Sequence, residues 1–298
     1  MKEKSDRIFV QIPCYRDSQI VHTIESLLTN AHSRTRLDIS ICWQHINSEK
    51  LPGWILRNKQ IQIINIDAEK SKGANWARSI IQKEWNQQPY TFLVDSHTRF
   101  VRNWDKILVD MILILKKDKV KKPIVSGYPP YFWDPLSYPR NRLNYPLKMY
   151  PLGYENNLLT KFNGLPLPLY KWLKKPIKAE FIALGFLFAE GKFNLEIPFD
   201  PNIYFFGDDI TTGLRAYSHG YNFFHPHRLV AWHLYDRKTR VPHWDDHENW
   251  RSMNKKSYDR IYRIFKGESF RGFAVGKERT ISDYERYINY KLIANEAS

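Results

Sequence analysis

The sequence predicts an α/β fold in which a mixed, mainly parallel sheet is flanked by helices. Two observations lead to this prediction. Strand-like apolar segments alternate with segments at helical spacing, which is typical of βαβ units. Polar and acidic residues also follow directly on two of the predicted strands, where open parallel sheets bind ligands. The 298 residues are 43% hydrophobic and 15% aromatic, so the composition argues for a packed core and against disorder.

Predicted strands and helices alternate through the first 127 residues. Ile8–Pro13 reads as a buried strand, and apolar residues at helical spacing from Ile20 to Leu28 predict a helix that Asp17 or Ser18 would cap. The other elements predicted in this half are strands at Leu37–Trp43, Ile61–Ile66, Tyr90–Val94 and Ile124–Gly127, and helices at Gly73–Trp85 and Asn103–Leu115.

The second half begins with a segment of different texture. Residues 128–178 are rich in Pro, Tyr, Leu and Asn and show no sustained period of 2 or 3.6. This segment is interpreted as a long insertion or lid over a cleft, or else as an irregular packed surface loop. Beyond it we predict strands at Glu180–Ala189 and Leu229–His233 and helices at Asp208–His219, His243–Lys266 and Tyr284–Ile293. Residues 1–298 are therefore expected to form one domain with an insertion at 128–178 and a helical C-terminal extension at 243–298.

Charge and cysteine usage bound the class of protein. Lys and Arg (46) exceed Asp and Glu (31), giving a net charge of +15, which suits a phosphorylated ligand, nucleic acid or an anionic surface. Cys14 and Cys42 lie in strand-like segments and suggest no disulfide framework. The polar residues 1–6 do not resemble a signal peptide, so we expect a cytoplasmic protein. The longest apolar runs are about half a membrane span. No transmembrane segment is therefore expected, while peripheral contact with anionic lipid is compatible with the basic charge.

Asp95-Ser96-His97 is the first candidate for chemistry. The triplet follows a predicted strand directly, and an Asp and a His two residues apart on such a turn can face one ligand. Carboxylate oxygen and imidazole nitrogen suit Mn²⁺ or a similar divalent ion such as Mg²⁺, which would bridge two phosphates. His233 ends another predicted strand and is a candidate third ligand. Zinc hydrolysis is not favoured because no H-E-x-x-H or paired-Cys spacing is present.

Asp208 and Asp209 form the second acidic pair. They would stand at a helix N-terminus, where capping is worth about 0.5–2 kcal/mol. Alternatively, one of them orients or deprotonates a hydroxyl group, and the spacing leaves these two interpretations open. Arg16, Lys72 and Arg78 are the cations nearest the predicted strand ends and could pair with phosphate oxygens.

Several of these stretches together resemble one family. The order and spacing of the pieces are similar to those of the cytoplasmic N-acetylglucosaminyltransferases that modify hydroxyproline on a target protein, and of their bacterial relatives. The resemblance covers about residues 7 to 245, apart from most of 128–176. The pieces are Ile12-Pro13-Cys14-Tyr15-Arg16-Asp17, Ala74-Asn75-Trp76-Ala77-Arg78, Asp95-Ser96-His97-Thr98-Arg99-Phe100 with Trp104-Asp105, Gly185-Phe186-Leu187-Phe188, Pro198-Phe199-Asp200-Pro201, Phe206-Gly207-Asp208-Asp209 and His233-Leu234-Tyr235-Asp236-Arg237.

The resemblance implies a GT-A fold, a single catalytic domain and a UDP-sugar donor. It also implies transfer of a sugar, N-acetylglucosamine by analogy, to an acceptor hydroxyl on a protein or glycan with retention of anomeric configuration. The divalent metal would be held by Asp95, His97 and His233, in the D-x-H variant that the mucin-type peptide transferases carry. Asp208 and Asp209 would be the catalytic residues at the acceptor. The donor-binding residues would be Tyr15, Arg16, Asp17, Trp76, Arg78, Asp95 and Ser96.

Two departures from the family pattern leave the identity of the acceptor open, and one alternative function also remains. The family usually carries two glutamates where this chain has Asp208-Asp209, and the segment at 128–178 has no clear counterpart. The alternative function is a basic nucleic-acid-binding protein without catalysis, since the charge and the abundant Tyr and Trp suit stacking and phosphate contact. No recognised nucleic-acid-binding module is present, so nucleic acid is not the expected partner.

Overall fold

A computed structural model of the protein describes residues 6–134 and 141–294. Its centre is an eight-stranded sheet. In spatial order the strands are β3 (Ile61–Asp67), β2 (Leu37–His45), β1 (Ile8–Tyr15), β4 (Tyr90–Val94), β10 (Phe186–Glu190), β6 (Pro123–Ser126), β11 (Asn222–His225) and β9 (Ile177–Lys178).

The sheet is mixed, as the sequence predicts. Strands β3, β2, β1 and β4 run parallel to one another, β10 lies antiparallel to both β4 and β6, and β11 is again parallel to β6. The predicted parallel strands are confirmed. They could be recognised because strands of a parallel sheet covered on both faces have nearly continuous apolar sequences. In β1, the first five residues are all buried.

Helices cover both faces of the sheet. They are α1 (Ile20–Asn30), α2 (Gly53–Leu56), α3 (Ala74–Gln82), α4 (Trp104–Lys117), α5 (Phe193–Glu196), α6 (Asp208–Ser218), α7 (His243–Asp246), α8 (Trp250–Phe265) and α9 (Ile281–Ile288). Alternate residues of β4 point to opposite faces. Phe92 and Val94 share a core with residues of α1 and α4, whereas Leu93 belongs to a second core with residues of α6, α8 and α9.

Two further strand pairs lie outside the central sheet. β5 (Thr98–Phe100) pairs with β12 (Ala231–His233), and β7 (Leu147–Glu155) forms a hairpin with β8 (Leu159–Pro166). The hairpin corrects the prediction of an aperiodic insertion at 128–178, of which residues 135–140 lie outside the described part. Pro151, Gly153 and Gly164 interrupt the alternation, and the register shifts between Pro151 and Gly153, so the strands carry no clean period of 2.

Three other predictions need correction. The strand expected at Glu180–Ala189 begins only at Phe186. The residues before it form a buried turn, closed by a hydrogen bond from the Phe186 amide to the Ala183 carbonyl. Residues 181–184 are apolar because they are buried in this turn, and not because they form a strand. The predicted helix at 243–266 is broken at residues 247–249 into α7 and α8, and the last helix ends at Ile288 because Asn289 is left-handed. Residues 295–298 of the predicted extension lie outside the described part.

The predicted cap of α1 is also wrong. The residue before the helix is Gln19, which caps nothing with its side chain. Asp17 instead accepts the Gln19 amide at 2.9 Å with one carboxylate oxygen, which leaves its other oxygen for the site described below. Across residues 6–134 and 141–294, no helix is both long enough and apolar enough to cross a bilayer.

Candidate active site

A cavity of about 710 Å³ opens where β1 and β4 end. This is the edge of a parallel sheet at which ligands are expected. Loops and helix ends from the second half of the chain complete its wall, and one side is formed by the β7–β8 hairpin. The lining residues used below are Tyr15, Asp17, Gln44, Arg78, Asp95, Ser96, His97, Phe162, Gly185, Tyr204, Asp208, Asp209, His233, Arg237, Arg240 and His243.

Strand pairing brings together in this cavity three side chains that could hold a metal ion. Asp95 follows β4 directly, and His97 lies two residues further along the same turn. Because β12 pairs with β5, His233 lies opposite Thr98, beside His97. Nε2 of His233 is 3.2 Å from Oδ2 of Asp95, and Nε2 of His97 is 4.0 Å from the same oxygen. The candidate ligand atoms of all three residues lie within 4.8 Å of one another.

Asp17 holds His97 in its orientation. Oδ2 of Asp17 lies 2.7 Å from Nδ1 of His97 and accepts the Ser96 hydroxyl at 2.6 Å. With Nδ1 engaged in this way, Nε2 of His97 faces Asp95. Burial acts to raise the pKa of Asp17, but the hydrogen bonds from His97 and Ser96 lower it below its usual value. This is the carboxylate–histidine arrangement that orients metal ligands, so Asp17 and Ser96 support a ligand of the metal-ligating cluster.

Electrostatics keep the central carboxylate ionised. Burial acts to raise the pKa of Asp95, but the hydrogen bond with His233 and the nearby His97 and Arg78 side chains lower it well below its usual range. Burial, together with His97, lowers the pKa of His233 to about 4. At neutral pH, Asp95 is therefore charged and His233 is neutral, which are the protonation states that metal binding requires.

Arg78 links this cluster to the second acidic pair. Nη1 of the buried guanidinium donates to the Asp208 carboxylate, while Nη2 lies 3.9 Å from Oδ1 of Asp95. Oδ1 of Asp209 accepts the Leu184 amide at 2.7 Å. Burial raises the pKa of both carboxyl groups, and for Asp209 the adjacent Asp208 carboxylate raises it further.

Capping describes only one contact of the acidic pair, the 2.9 Å hydrogen bond that Oδ1 of Asp208 accepts from the Asp209 amide. The residue that precedes α6 is Gly207, in the left-handed region at φ 87°, and it has no side chain to cap with. Asp208 and Asp209 occupy the first helical turn, where the helix dipole favours negative charge. Their side chains nevertheless reach Arg78 and the Leu184 amide, across the cavity wall.

Aromatic and polar residues around Tyr15 and His243 form another part of the cavity wall. The rings of Tyr15 and His243 are 4.7 Å apart. Nδ1 of His243 lies 2.7 Å from the Tyr204 hydroxyl, and its Nε2 lies 3.0 Å from the Ser71 hydroxyl. The Ser71 hydroxyl in turn donates to Gln44. Of these residues only Tyr15 was a candidate from the sequence, because His243 and Tyr204 meet β1 through contacts between distant parts of the chain.

Two predicted donor-binding residues are not among the described residues that line the cavity. Arg16 is paired with Glu49 at 3.1 Å and with Asp246 at 2.7 Å. Trp76 packs against the buried cluster that contains Phe9. Arg237 and Arg240, which were not singled out as cations, line the cavity together with Arg78.

Gly185 is a site residue whose role the sequence did not reveal. A Cβ atom at this position would lie 2.5 Å from Oδ2 of Asp95, and the Gly185 carbonyl accepts the Asp95 amide at 3.2 Å. A glycine is therefore required by the close approach of Asp95 to β10. The glycine stands in one of the stretches that carry the family resemblance, and that is the only signal in the sequence.

Comparisons with known proteins identify the family and the fold. The family model "Glycosyltransferase (GlcNAc)" matches residues 7–55 and 52–270. No curated protein matches the chain. A solved structure of GalNAc-T7 with UDP, GalNAc and Mn²⁺ is similar at a TM-score of 0.61 and 15% identity, over 96% of this chain and 55% of that one. S. aureus TarS is similar at a TM-score of 0.52 and 9% identity, over 95% of this chain and 42% of that one.

At these identities the solved structures establish the fold alone, and this chain spans only about half of each. Both carry the GT-A type of glycosyltransferase domain, which agrees with the mixed sheet and its flanking helices. The family model covers most of the chain. The chain therefore belongs to the glycosyltransferase (GlcNAc) family and has a GT-A-type fold.

Proposed function

We propose that the protein transfers N-acetylglucosamine from a UDP donor to an acceptor hydroxyl in a metal-dependent reaction. The observation that carries this proposal is the convergence of Asp95, His97 and His233 at the end of β4, inside a cavity large enough for a nucleotide-sugar. The N-acetylglucosamine part rests on the family to which the chain belongs.

The three side chains suit a divalent cation such as Mn²⁺ or Mg²⁺. The set combines one ionised carboxylate with two imidazoles, and Asp17 occupies Nδ1 of His97 so that Nε2 remains for the metal. When bound, such an ion supplies positive charge that stabilises the departing diphosphate. The GalNAc-T7 structure to which the chain is similar was solved with UDP and Mn²⁺, which supports the same pairing of donor and metal here.

The remaining donor contacts follow from the shape of the cavity. The Tyr15 and His243 rings, together with the Gln44 side chain, offer stacking and hydrogen bonds to a planar polar base, and Ser71 holds Gln44 and His243 from behind. Arg78, Arg237 and Arg240 contribute positive charge toward phosphate oxygens. Arg16 and Trp76 would support the residues that line the cavity without lining it themselves. Arg16 pairs with the Asp246 carboxylate, which also accepts the Tyr15 hydroxyl at 2.7 Å. Trp76 packs against the buried cluster that contains Phe9.

Asp208 and Asp209 are proposed to hold the acceptor hydroxyl. Burial and the adjacent Asp208 carboxylate raise the pKa of Asp209 to about 8, so this carboxyl group is largely protonated at neutral pH and is suited to hydrogen-bond an acceptor hydroxyl group. We further propose a hydroxyl on a protein as the acceptor and retention of configuration, both on the basis of the family resemblance. Cys14 and Cys42 are buried and unpaired, which supports a reducing, cytoplasmic compartment.

The direct test is a screen of UDP-sugars for UDP release by the purified protein with Mn²⁺, with Mg²⁺ and with a chelator. The proposal predicts the fastest release from UDP-N-acetylglucosamine and loss of release in the chelator. The anomeric configuration of the transferred sugar, read by NMR, tests retention. Equal release with and without metal, or no release from any UDP-sugar, would contradict the proposal.

A further inference from the structure

The chain that follows the β7–β8 turn has an unusual charge pattern. Residues 156–179 contain five lysines and no Asp or Glu. Lys171, Lys174 and Lys178 are exposed and form no ion pair within the described parts of the chain, whereas Lys175 is paired with Asp118 and Lys161 with Glu155. This segment therefore presents unneutralised positive charge to solvent.

The same segment carries exposed apolar side chains. Trp172 and Leu169 are 81% and 75% exposed, the highest values for large hydrophobic residues in the described chain, and Leu165 is 53% exposed. Leu169 precedes and Trp172 ends a short 3₁₀ turn, Tyr170–Trp172, in which the Trp172 amide donates to the Leu169 carbonyl. The turn therefore places two strongly exposed apolar side chains within three residues of each other.

This exposure is not the result of a loose loop. Leu167 is buried and its amide donates to the Pro146 carbonyl at 2.9 Å. The Tyr170 hydroxyl donates to the Asn144 carbonyl at 2.6 Å, and Arg228 donates to the Tyr170 carbonyl at 2.7 Å. Leu169 itself is held at φ 53°, in the left-handed region that a leucine rarely adopts. The fold thus fixes the backbone on both sides of two apolar side chains that it leaves in water.

We propose that this surface, defined as Leu165, Leu169 and Trp172 with Lys171 and Lys174, docks on an anionic membrane. Trp and Leu side chains bury in the boundary between headgroups and acyl chains, while adjacent lysines pair with anionic lipid headgroups. The proposal concerns a surface outside the cavity and does not depend on the transfer reaction.

Charge and chemistry favour a lipid surface over two other occupants. A second copy of this chain would bring two unneutralised lysine clusters together, in molecules that each carry +15. Nucleic acid would use the lysines and Trp172, but leucine side chains give bases no aromatic face to stack on. Of these three occupants, an anionic membrane, with its apolar interior and charged headgroups, complements both the apolar side chains and the lysines.

Docking would also place the cavity close to the membrane. Strand β8 runs from Phe162, which lines the cavity, to Leu165 on the proposed surface. Three residues of strand span about 10 Å. The hairpin therefore joins the docking surface to the wall of the active site, and acceptor groups at the membrane surface would be within its reach.

The test is co-sedimentation of the full chain with vesicles of phosphatidylcholine alone and of phosphatidylcholine mixed with phosphatidylglycerol. Binding is expected only to the anionic vesicles and is expected to weaken as salt is raised. The double variant Leu169→Ser/Trp172→Ser and the double variant Lys171→Gln/Lys174→Gln are each expected to bind about tenfold more weakly.

Matched controls separate this surface from charge or apolar exposure in general. Trp54→Ser/Leu56→Ser removes equally large exposed side chains beside β3, and Lys255→Gln/Lys256→Gln removes the same charge from α8; both should bind like the unchanged protein. Each variant is first checked for unaltered thermal unfolding and for unaltered UDP-sugar hydrolysis in solution, so that failure of docking is distinct from failure of the proposed reaction. Absence of vesicle binding, or equal weakening in the controls, would overturn the proposal. Self-association or oligonucleotide binding that depends on Leu169 and Trp172, without vesicle binding, would also overturn it.

Discussion

Asp95 and Asp209 face the same cavity but have opposite pKa shifts. Burial acts to raise the pKa of both. At Asp95 this is overcome by His233, His97 and Arg78, which lower the pKa well below its usual range. Asp209 has one backbone hydrogen bond, from Leu184, and an adjacent carboxylate on Asp208, so its pKa is raised.

The difference shows how one cavity can hold two kinds of acidic group. A carboxylate surrounded by donors and cations keeps its negative charge and suits a metal and a diphosphate. A carboxylate beside another carboxylate accepts a proton readily and suits a hydroxyl group. Arg78 lies between them, bonded to Asp208 and close to Asp95. The donor side and the acceptor side of the proposed reaction are thus separated by their electrostatics.

The largest effect is expected for Asp95→Asn. This change removes the central charge of the cluster but keeps the size of the side chain. We expect Mn²⁺-dependent hydrolysis of UDP-N-acetylglucosamine to fall about a thousandfold or more, since preorganised charge is the main catalytic element proposed here. Asp110→Asn, on the exposed face of α4, is the control and should leave the rate unchanged. Full activity of Asp95→Asn would contradict the claim that the ionised Asp95 carboxylate is needed for the metal and the diphosphate.

Gly185→Ala tests the same carboxylate through its neighbour. The added Cβ would lie 2.5 Å from Oδ2 of Asp95 and must displace it. We expect a loss of turnover of about a hundredfold at saturating donor, because misplacement on the scale of an ångström is costly in a preorganised site. Gly53→Ala is the control, since its Cβ would meet only the flexible end of Arg57. Equal rates for the two variants would show that Asp95 does not need its present position.

Asp17→Asn tests the support of His97. The neutral amide keeps the size of the carboxylate but loses the charge that holds Nδ1 of His97. Loss of such an orienting carboxylate typically costs about 10–100-fold in metal affinity or activity. The measurement is the Mn²⁺ concentration that gives half-maximal UDP release, which should rise. If this concentration is unchanged while turnover falls, Asp17 contacts the donor itself, as the sequence suggested.

The smallest effect, and one of opposite sign, is expected for Asp209→Asn. A folded-state pKa raised above the unfolded value means that the native state binds the proton more tightly, so stability falls as pH rises above about 4. Asparagine keeps an oxygen for the Leu184 amide and has no charge to bury. The metal-free variant should therefore be more stable than the unchanged protein at neutral pH, on the order of 1 kcal/mol.

Thermal unfolding as a function of pH measures this effect. The stability gain should shrink toward zero as the pH falls below about 4, where Asp209 is protonated in both the folded and the unfolded protein. A variant that is less stable than the unchanged protein at every pH would contradict the raised pKa, and with it the protonatable side of the comparison.

The parts of the fold that could be predicted are those whose hydrophobic pattern is typical of a single kind of secondary structure. Strands β1, β2 and β4 are mostly buried and appear as apolar runs, and the edge strand β3 is rich in isoleucine, so their positions were predicted well. The β7–β8 hairpin could not be predicted, because Pro151, Gly153 and Gly164 break its alternation. The apolar run before Phe186 reflects burial in a turn, which periodicity does not distinguish from a strand.

The site shows the same limit. Asp95, His97 and His233 are recognisable because each lies at or beside a strand end. Gly185 matters only through a carboxylate 90 residues away in the chain, which the sequence does not show. Arg16 lies on the expected turn, yet Glu49 and Asp246 engage its guanidinium. Position at a strand end thus predicts proximity to the site, whereas the partners that decide a role come from distant parts of the chain.

The most direct test of the central claim is the thermal stabilisation of the protein by UDP, measured with and without Mn²⁺ in the unchanged protein and in His233→Ala. If Asp95, His97 and His233 hold the metal that binds the diphosphate, UDP will raise the melting temperature more with Mn²⁺ than without it. His233→Ala will lose this Mn²⁺-dependent increment and keep the smaller metal-independent one. A full Mn²⁺-dependent increment in His233→Ala would contradict the account.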